Sequence, residues 1–267
     1  MSSSEAALYR SAPRSSGRRR GARTQWLLPL TGLGAGLLAW QLLTLPGSWP
    51  LANAFSPAST LAALVRMVGE GVVWPHLEAS LVRIFAGLGL AALAGIPLGV
   101  WIGRSHAAEV ATSGIFQFLR MVSPLSWMPI AVMALGVGDR PVVFLVAIAA
   151  VWPILLNTAH GISAVDRRWV RAARALGAQG RAVLWRVLLP AALPNIVTGV
   201  RLALGTAWIV LVPAEMLGVH SGLGYFILDT RDRFAYGELL ATLLVIGAVG
   251  YGLDLLLRGL RSRVGWE

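Results

Sequence analysis

The sequence predicts an all-α, polytopic membrane protein with six transmembrane helices, and three observations lead to this prediction. The chain of 267 residues is 56% hydrophobic and only 13% charged, which is too little polar surface for a soluble globule of this size. Six apolar stretches are long enough to cross a hydrocarbon core of about 30 Å at a helical rise of 1.5 Å per residue. One arginine-rich stretch between the fourth and fifth is too polar to cross and predicts a pair of short surface helices.

The N-terminal part predicts a tail, one span and a long loop. Residues 1–25 are rich in Ser, Arg, Gly and Ala and predict a disordered basic tail. Residues 26–45 carry no charge and predict the first transmembrane helix. A cleaved signal peptide is the alternative, because Ala52-Asn53-Ala54 resembles a cleavage site. Residues 46–80 predict an external loop with a short surface helix.

The second, third and fourth spans differ in the surroundings that their side chains require. Span two, residues 81–103, predicts close helix packing, because small residues recur at every fourth position. Span three, residues 111–135, is interrupted by Pro124 and Pro129 and predicts a helix that faces protein or a water-filled path. Span four, residues 141–158, contains a proline near its end. The small residues of span two are Gly87, Ala91, Gly95, Gly99 and Gly103, and the polar ones of span three are Gln117, Arg120, Ser123 and Ser126.

Residues 163–190 predict a helical hairpin with an arginine-rich face. Ser163 and Asp166 have the spacing of a capping box, so we expect a helix to begin near Ala164. Gly177 is expected to end it in the left-handed conformation, with a second short helix over residues 178–189. Pro190 is interpreted as the start of the next span. The hairpin is interpreted as a docking surface for a partner, or alternatively as a solvated loop that stabilises the bundle.

The last two spans hold the remaining candidate residues. Span five, residues 191–212, places Arg201 near the middle of the membrane, where an arginine needs a partner or a wet path. Arg201 either helps an anion cross or pairs with Asp254 of span six, residues 237–257. Arg120 likewise either helps an anion cross or has a structural partner, with Gln117 three residues before it. Glu215 is expected just beyond span five, at an external gate or paired with Arg231 or Arg233. Residues 213–236 are expected to dip back against the bundle.

The arginine distribution predicts the orientation of the chain. With six spans, one side holds sixteen arginines: six in the N-tail, one at the turn after span two, six in the hairpin and three in the C-tail. The opposite loops hold four. The positive-inside rule therefore predicts that both termini and the hairpin are cytoplasmic.

Residue types that are missing exclude several function classes. There is no Lys, so the chain cannot carry the P-loop lysine of an ATPase or a Schiff-base lysine. There is no Cys, and the four histidines lack metal-ligand spacing, so neither a thiolate site nor another metal site is expected. The net charge of +11 is explained by membrane topology rather than by nucleic-acid binding. We expect no catalytic residues and no cofactor bound by this chain.

The hairpin resembles a family motif. The order Arg171-Ala172-Ala173, three residues, Gly177, nine residues and Val187-x-Leu189-Pro190 is similar to the EAA loop of ABC importer permeases, with Arg171 where that family usually has Glu. The similarity covers residues 81–258 and is greatest to the nitrate, sulfonate and taurine branch, through positions that include Pro194, Gly199, Arg201, Glu215, Gly222 and Gly224.

The resemblance implies a type I ABC importer permease fold, with a 163–190 coupling loop in the cytoplasm and a C-tail from 259. It implies a homodimer in the inner membrane that moves a small anion such as nitrate, taurine or an aliphatic sulfonate. ATP and Mg would be bound by separate ATPase subunits, and substrate would be delivered by a binding protein. The expected coupling residues are Arg171, Ala172, Ala173, Arg174, Gly177, Arg181 and Pro190; the expected path residues are Arg120, Ser123, Ser126, Arg201 and Glu215. The alternative function is a gradient-driven secondary transporter or a channel, although the spans contain almost no carboxylates for ion coupling.

Overall fold

The computed structural model describes residues 22–45 and 51–263, with side chains described from 31 to 45 and from 51 to 259. It forms two units that divide after Pro57. In the first unit, helix α1 (Ala22–Leu43) coincides with the first predicted span but begins four residues earlier. A 3-10 turn (Ala52–Phe55) follows, and the indole Nε1 of Trp40 donates to the carbonyl of Phe55 at 2.9 Å. The rest of the predicted tail, residues 1–21, lies outside the described residues.

The second unit is built from helices, and its described residues contain no strand. In chain order these are α2 (Pro57–Gly69), α3 (Val73–Gly103), α4 (His106–Met121), α5 (Met128–Leu135), α6 (Asp139–Ser163), α7 (Arg167–Ala175), α8 (Gly180–Val183), α9 (Leu189–Gly218), α10 (Leu223–Asp232) and α11 (Tyr236–Arg263). Helix α2 is the predicted surface helix, and α3 begins at Val73 inside the predicted loop. The loop is therefore shorter and span two longer than the sequence indicated, because the few polar residues after Val73 are accommodated on the helix.

Helices α3, α6 and α9 form the core, with α6 packed against both of the others. The predicted ladder of small residues explains the contact between α3 and α6. A Cβ atom on Gly99 would lie 2.6 Å from the carbonyl oxygen of Leu155, and one on Gly95 would lie 3.1 Å from that of Val151. The close packing predicted for span two is therefore confirmed. The buried core residues between these helices are almost all aliphatic, for example Ile84, Leu145, Val146, Ile154, Ala203 and Leu211.

Span three is two helices rather than one. Helix α4 ends at Met121 and α5 begins at Met128 after a 3-10 turn (Pro124–Trp127), and the two parts are bent by 84°. Pro124 and Pro129 stand in the first turns of the new elements, where a missing N–H costs nothing. The predicted interruption is thus a sharp bend in the chain.

Within the described residues, four helical segments are long and apolar enough to span a membrane: Val73–Gly103, Asp139–Ser163, Gly180–Gly218 and Tyr236–Gly259. The bent α4–α5 pair is a possible fifth span. The part of α1 with described side chains, Thr31–Leu43, is apolar but shorter than a span. The multi-pass helical class is confirmed, and the count of six stays a prediction.

Two boundaries near the hairpin and beyond it differ from the prediction. Helices α8 and α9 are joined by a π-helical turn (Leu184–Leu188), so one continuous helix runs from Gly180 through Pro190 to Gly218. Pro190 lies in the first turn of α9, where a proline fits, and starts no separate span. The region expected to dip back against the bundle contains the short helix α10, which packs against α9 and α11 with Leu223 and Phe226 buried. Helix α11 extends past the predicted start of the C-tail at 259.

Candidate coupling surface and intramembrane charges

The hairpin consists of α7, a glycine elbow and the start of the α8–α9 helix. The expected capping box is wrong, because Ser163 is still the last residue of α6 and its hydroxyl donates to the carbonyl of His160. Asp166 caps α7 alone, with Oδ1 accepting from the backbone N–H of Arg168 at 2.8 Å. A single side chain therefore satisfies this helix start, and α7 begins three residues later than predicted.

Gly177 closes α7 as predicted. Its φ is +87°, in the left-handed region that favours glycine. The N–H of Gly177 donates to the carbonyl of Arg174, and that of Ala178 donates to the carbonyl of Ala173, both at 3.0 Å. These two bonds make a Schellman motif, which satisfies the last carbonyls of the helix and fixes the angle of the elbow.

The outer surface of the hairpin combines positive charge with exposed apolar groups. Leu176 at the elbow is 89% exposed, and Trp169 and Trp185 are 69% and 64% exposed. No carboxylate in the described part of the chain pairs with the four arginines that surround them, Arg171, Arg174, Arg181 and Arg186. Of the predicted coupling residues, only Ala173 is half-buried; the exposed ones are Arg171, Ala172, Arg174, Gly177, Arg181 and Pro190.

Arg201 has the structural partner that the sequence left open. Its Nε donates to Oδ1 of Asp254 at 2.8 Å, across the contact between α9 and α11. Arg258 donates to the other oxygen of Asp254 at 2.7 Å. Because the guanidinium of Arg201 and the carboxylate of Asp254 bind each other, the structure favours the pairing interpretation of Arg201.

Glu215 lies inside α9, and its expected partners are wrong. Its side chain is fully buried and pairs with Nη1 of Arg83 on α3 at 2.7 Å. Arg231 and Arg233 lie in the region beyond, where Arg231 contacts Asp232 and Arg233 contacts Asp229 and Glu238. The hydrogen bond from Arg233 to Asp229 holds the pKa of Arg233 above its ordinary value.

Arg83 is a functional candidate that sequence reasoning missed. All five of its N–H donors are used: two contact Asp139, one contacts Glu215, and the last two contact the hydroxyl and carbonyl of Ser221. The hydroxyl of Ser80 donates to Glu215 and accepts from the N–H of Leu223. The signal was an arginine within an apolar span, the same signal that selected Arg120 and Arg201.

Arg120, Ser123 and Ser126 lie together at the α4–α5 bend and are exposed. Nη2 of Arg120 donates to Oε1 of Gln117 at 2.9 Å. Two cavities meet at this arginine, one of about 290 Å³ and one of about 570 Å³. The structure therefore brings three of the five predicted path residues together, and places Arg201 and Glu215 in separate ion pairs.

Known proteins share this architecture and sequence. Residues 95–265 match the family described as binding-protein-dependent transport system inner membrane component. The bicarbonate transport system permease protein CmpB of Synechococcus elongatus is 36% identical over 239 residues, which cover 85% of this chain and 85% of CmpB. The taurine transport system permease protein TauC of Escherichia coli K12 is 34% identical over 256 residues, 91% of this chain and 93% of TauC.

A solved structure of the MetNI methionine ABC transporter in an inward-facing conformation has the same fold. It matches with a TM-score of 0.62 over 73% of this chain and 94% of that chain, at 18% identity. The resemblance to ABC importer permeases of the nitrate, sulfonate and taurine branch is thus confirmed. Such a permease is a transport subunit that works in the inner membrane with a separate ATPase and a substrate-binding protein. The chain belongs to the binding-protein-dependent transport system inner membrane component family, as a permease of an ABC importer.

Proposed function

We propose that this permease moves a small anion across the inner membrane and that the transport is driven by ATPase subunits that bind the α7–α8 hairpin. The observation that carries the proposal is the hairpin itself, which bends at Gly177 and exposes four arginines that have no carboxylate partner in the described residues: Arg171, Arg174, Arg181 and Arg186. A charged surface with exposed Leu176 at its tip has the composition of a protein interface rather than of a solvated loop.

The expected coupling residues have separate roles in this proposal. Arg171, Arg174 and Arg181 donate to carboxylates of the ATPase groove, and Ala172 and Ala173 keep α7 narrow enough to enter it. Gly177 sets the angle of the elbow, and Pro190 fits the first turn of the helix that leaves the groove. Because Arg171 replaces the usual glutamate, the groove facing it is expected to be acidic at that point.

The substrate is a small molecule with an oxyanion group: nitrate, bicarbonate, an aliphatic sulfonate or the zwitterion taurine. Support comes from the related permeases, which are named for bicarbonate and taurine transport. The chain binds no nucleotide; ATP and Mg belong to the ATPase. Closure of the ATPase pair moves the hairpins and opens the path outward, and hydrolysis resets them.

Two copies of the chain form the membrane part, with both termini in the cytoplasm. The α4–α5 face carries an arginine without a carboxylate partner among the described residues, and such a group is costly against lipid. Covering this face with a second copy encloses a path between the two chains. Arg120, Ser123 and Ser126 line that path, whereas Arg201 and Glu215 hold helices together.

A cross-linking experiment tests the coupling role, because the chain has no cysteine and each introduced cysteine is unique. A photoactivatable maleimide on Leu176→Cys is expected to capture the ATPase subunit. The matched control is Val137→Cys, which is 73% exposed in the turn before α6, at the other end of that helix from the hairpin. Capture of the ATPase at 137, or its absence at 176 in an active complex, would contradict the proposal.

Uptake measurements test the substrate class. Proteoliposomes containing the permease, its ATPase and its binding protein are expected to accumulate at least one of nitrate, bicarbonate, taurine and ethanesulfonate when ATP is supplied to the ATPase. A matched complex that carries Gly177→Val is the control, and its ATP-driven uptake is expected to be much lower. Uptake of none of these anions, or uptake that needs only an ion gradient, would reject the assignment.

A further inference from the structure

Three arginines lie inside the spans that the sequence predicts, and they differ in the partners that the structure gives them. Arg83 pairs with Glu215 and Asp139, and Arg201 pairs with Asp254. Arg120 donates to the neutral amide of Gln117, and no described carboxylate lies within 4.0 Å of it. Its positive charge is therefore uncompensated at a depth where compensation is expected.

The side chain of Arg120 is too short to place its charge in water at the inner surface. Helix α4 begins at His106, next to the turn that the arginine distribution places in the cytoplasm. Fourteen residues at 1.5 Å each put Arg120 about 21 Å along the helix from that end, farther than its side chain extends. The guanidinium must then lie in protein or in a wet cavity.

The two cavities that meet at Arg120 supply that environment. The inner one, about 290 Å³, reaches toward Ser163 at the hairpin end of α6 and is also lined by Glu109 and His160. The second, about 570 Å³, lies between the α4–α5 bend, α6 and α9. Arg120 contributes to both walls, so it stands where a solute would pass from one cavity to the other.

The larger cavity contains hydrogen-bonding groups and no acidic residue among its described lining. Its wall includes Asn157 and Thr206 besides Arg120, and otherwise mainly apolar side chains. Asn157 uses its Nδ2 for the carbonyl of Pro153 at 2.8 Å and keeps a second N–H. The Thr206 hydroxyl lies 2.9 Å from the carbonyl of Ala203.

A proline explains why this wall is polar within an apolar core. Pro153 has no N–H, so the carbonyl of Ala149 one turn earlier lacks its usual helical donor. The hydroxyl of Thr206 lies 3.5 Å from that carbonyl. The proline therefore leaves a polar backbone group at the cavity, next to a hydroxyl whose single hydrogen can be donated either to the carbonyl of Ala203 or to a ligand.

We propose that Arg120, Asn157 and Thr206 form the binding site for the transported anion, halfway along its path. The inference rests on the proposed function and names its substrate site. A planar guanidinium with four remaining N–H donors suits an oxyanion of one negative charge, and the amide and hydroxyl complete its hydrogen bonds. Glu109 in the inner cavity disfavours a second anion site there, which promotes release toward the cytoplasm.

The experiment uses the charge preference of cysteine labelling in the assembled permease–ATPase complex. Leu202, 53% exposed and apolar, lines the larger cavity, and Leu202→Cys introduces the only cysteine of the chain. The labelling rates of an anionic and a cationic methanethiosulfonate of similar size are compared. We expect the anionic reagent to be favoured, and Arg120→Gln to lower the rate ratio by about tenfold.

Two further variants make the result specific. Arg120→Lys keeps the charge and is expected to preserve most of the ratio, which separates loss of charge from loss of folding. Arg104→Gln removes an exposed arginine outside both cavities and is expected to leave the ratio unchanged. A ratio that is the same in the Leu202→Cys parent, in Arg120→Gln and in Arg104→Gln would overturn the inference, as would a cysteine that neither reagent reaches.

Failure of this inference can be told apart from failure of the proposed function. ATP-driven uptake and ATPase capture at residue 176 are measured on the same complex. An active, captured complex with no charge preference at residue 202 rejects the Arg120 site alone. A complex that neither assembles nor transports rejects the proposed function, and the anion site with it.

Discussion

At the scale of single residues, the buried cluster around Arg83 shows how a membrane helix keeps an arginine. The guanidinium of Arg83 and the hydroxyl of Ser80 both donate hydrogen bonds to the carboxylate of Glu215. The backbone N–H of Gly224 also donates to Oε2 of Glu215, at 2.9 Å. A Cβ atom on Gly222, whose φ is +106°, would collide with both charged groups. The cluster thus joins α3 and α9 to the turn before α10.

Replacing Glu215 with glutamine is expected to destabilise the permease strongly. The change removes the fully buried counter-ion of Arg83 and leaves it only Asp139, whose side chain is 71% exposed. Breaking a buried pair completely costs about 3–5 kcal/mol, which is the upper bound here because Asp139 stays. The measurement is thermal unfolding of the detergent-solubilised chain. Glu109→Gln is the control, because Glu109 is 57% exposed and its loss is expected to change stability little.

A double substitution distinguishes the effect of losing the whole ion pair from the effect of leaving one charge of it unpaired. Arg83→Met with Glu215→Leu removes both charges, and buried pairs replaced by apolar groups often lose little stability. We expect the double variant to be more stable than Glu215→Gln. Equal unfolding temperatures for Glu215→Gln and Glu109→Gln would show that the cluster contributes nothing.

At the scale of elements, the contact between α3 and α6 depends on which face each glycine occupies. Gly99→Ala is expected to lower stability by about 1–3 kcal/mol, because its Cβ would lie 2.6 Å from the carbonyl oxygen of Leu155. Gly89→Ala on the same helix has no atom within 4 Å of its Cβ and is expected to be neutral or slightly stabilising. Thermal unfolding of the two variants side by side is the measurement. Similar losses would indicate that helix propensity rather than packing matters here.

The elbow of the hairpin should respond to backbone conformation rather than to side-chain volume. No atom lies within 4 Å of a Cβ placed on Gly177, yet its φ of +87° is unfavourable for residues with a Cβ. Gly177→Val is expected to lower ATP-driven uptake at least tenfold with normal membrane insertion. Gly177→Asn, which tolerates the left-handed region better, should retain most activity. Gly247→Val, an open helical position in α11, controls for the added side chain; equal losses in all three variants would contradict the elbow's role.

At the scale of the whole molecule, local patterns were predictable, whereas distant pairs were not reliably so: the pair Arg201–Asp254 was one of two alternatives, and the pair Arg83–Glu215 was missed. The ladder of small residues and the glycine elbow are encoded within a few residues, and the structure confirms both. Arg83 and Glu215 are 132 positions apart, and nothing near either residue identifies the other. Only the packing of α3 against α9 brings them together.

Boundaries were missed where two local signals competed. Pro190 was interpreted as a helix start, but a proline also fits the first turn of a helix that continues from a π-helical turn. Glu215 was placed just beyond span five, but it lies inside α9, where Arg83 is its partner. Arg201 was left with two interpretations, and its hydrogen bond to Asp254 favours one of them.

The predicted orientation of the whole chain rests on sixteen arginines on one side and can be tested directly. A membrane-impermeant maleimide is expected to label Leu176→Cys only in inside-out vesicles and Val137→Cys only in intact cells, because both side chains are well exposed and lie at opposite ends of α6. Labelling after permeabilisation confirms that each cysteine is reactive. Reaction of residue 176 from the outside would put the arginine-rich hairpin beyond the reach of any cytoplasmic ATPase, and the coupling role would have to be abandoned.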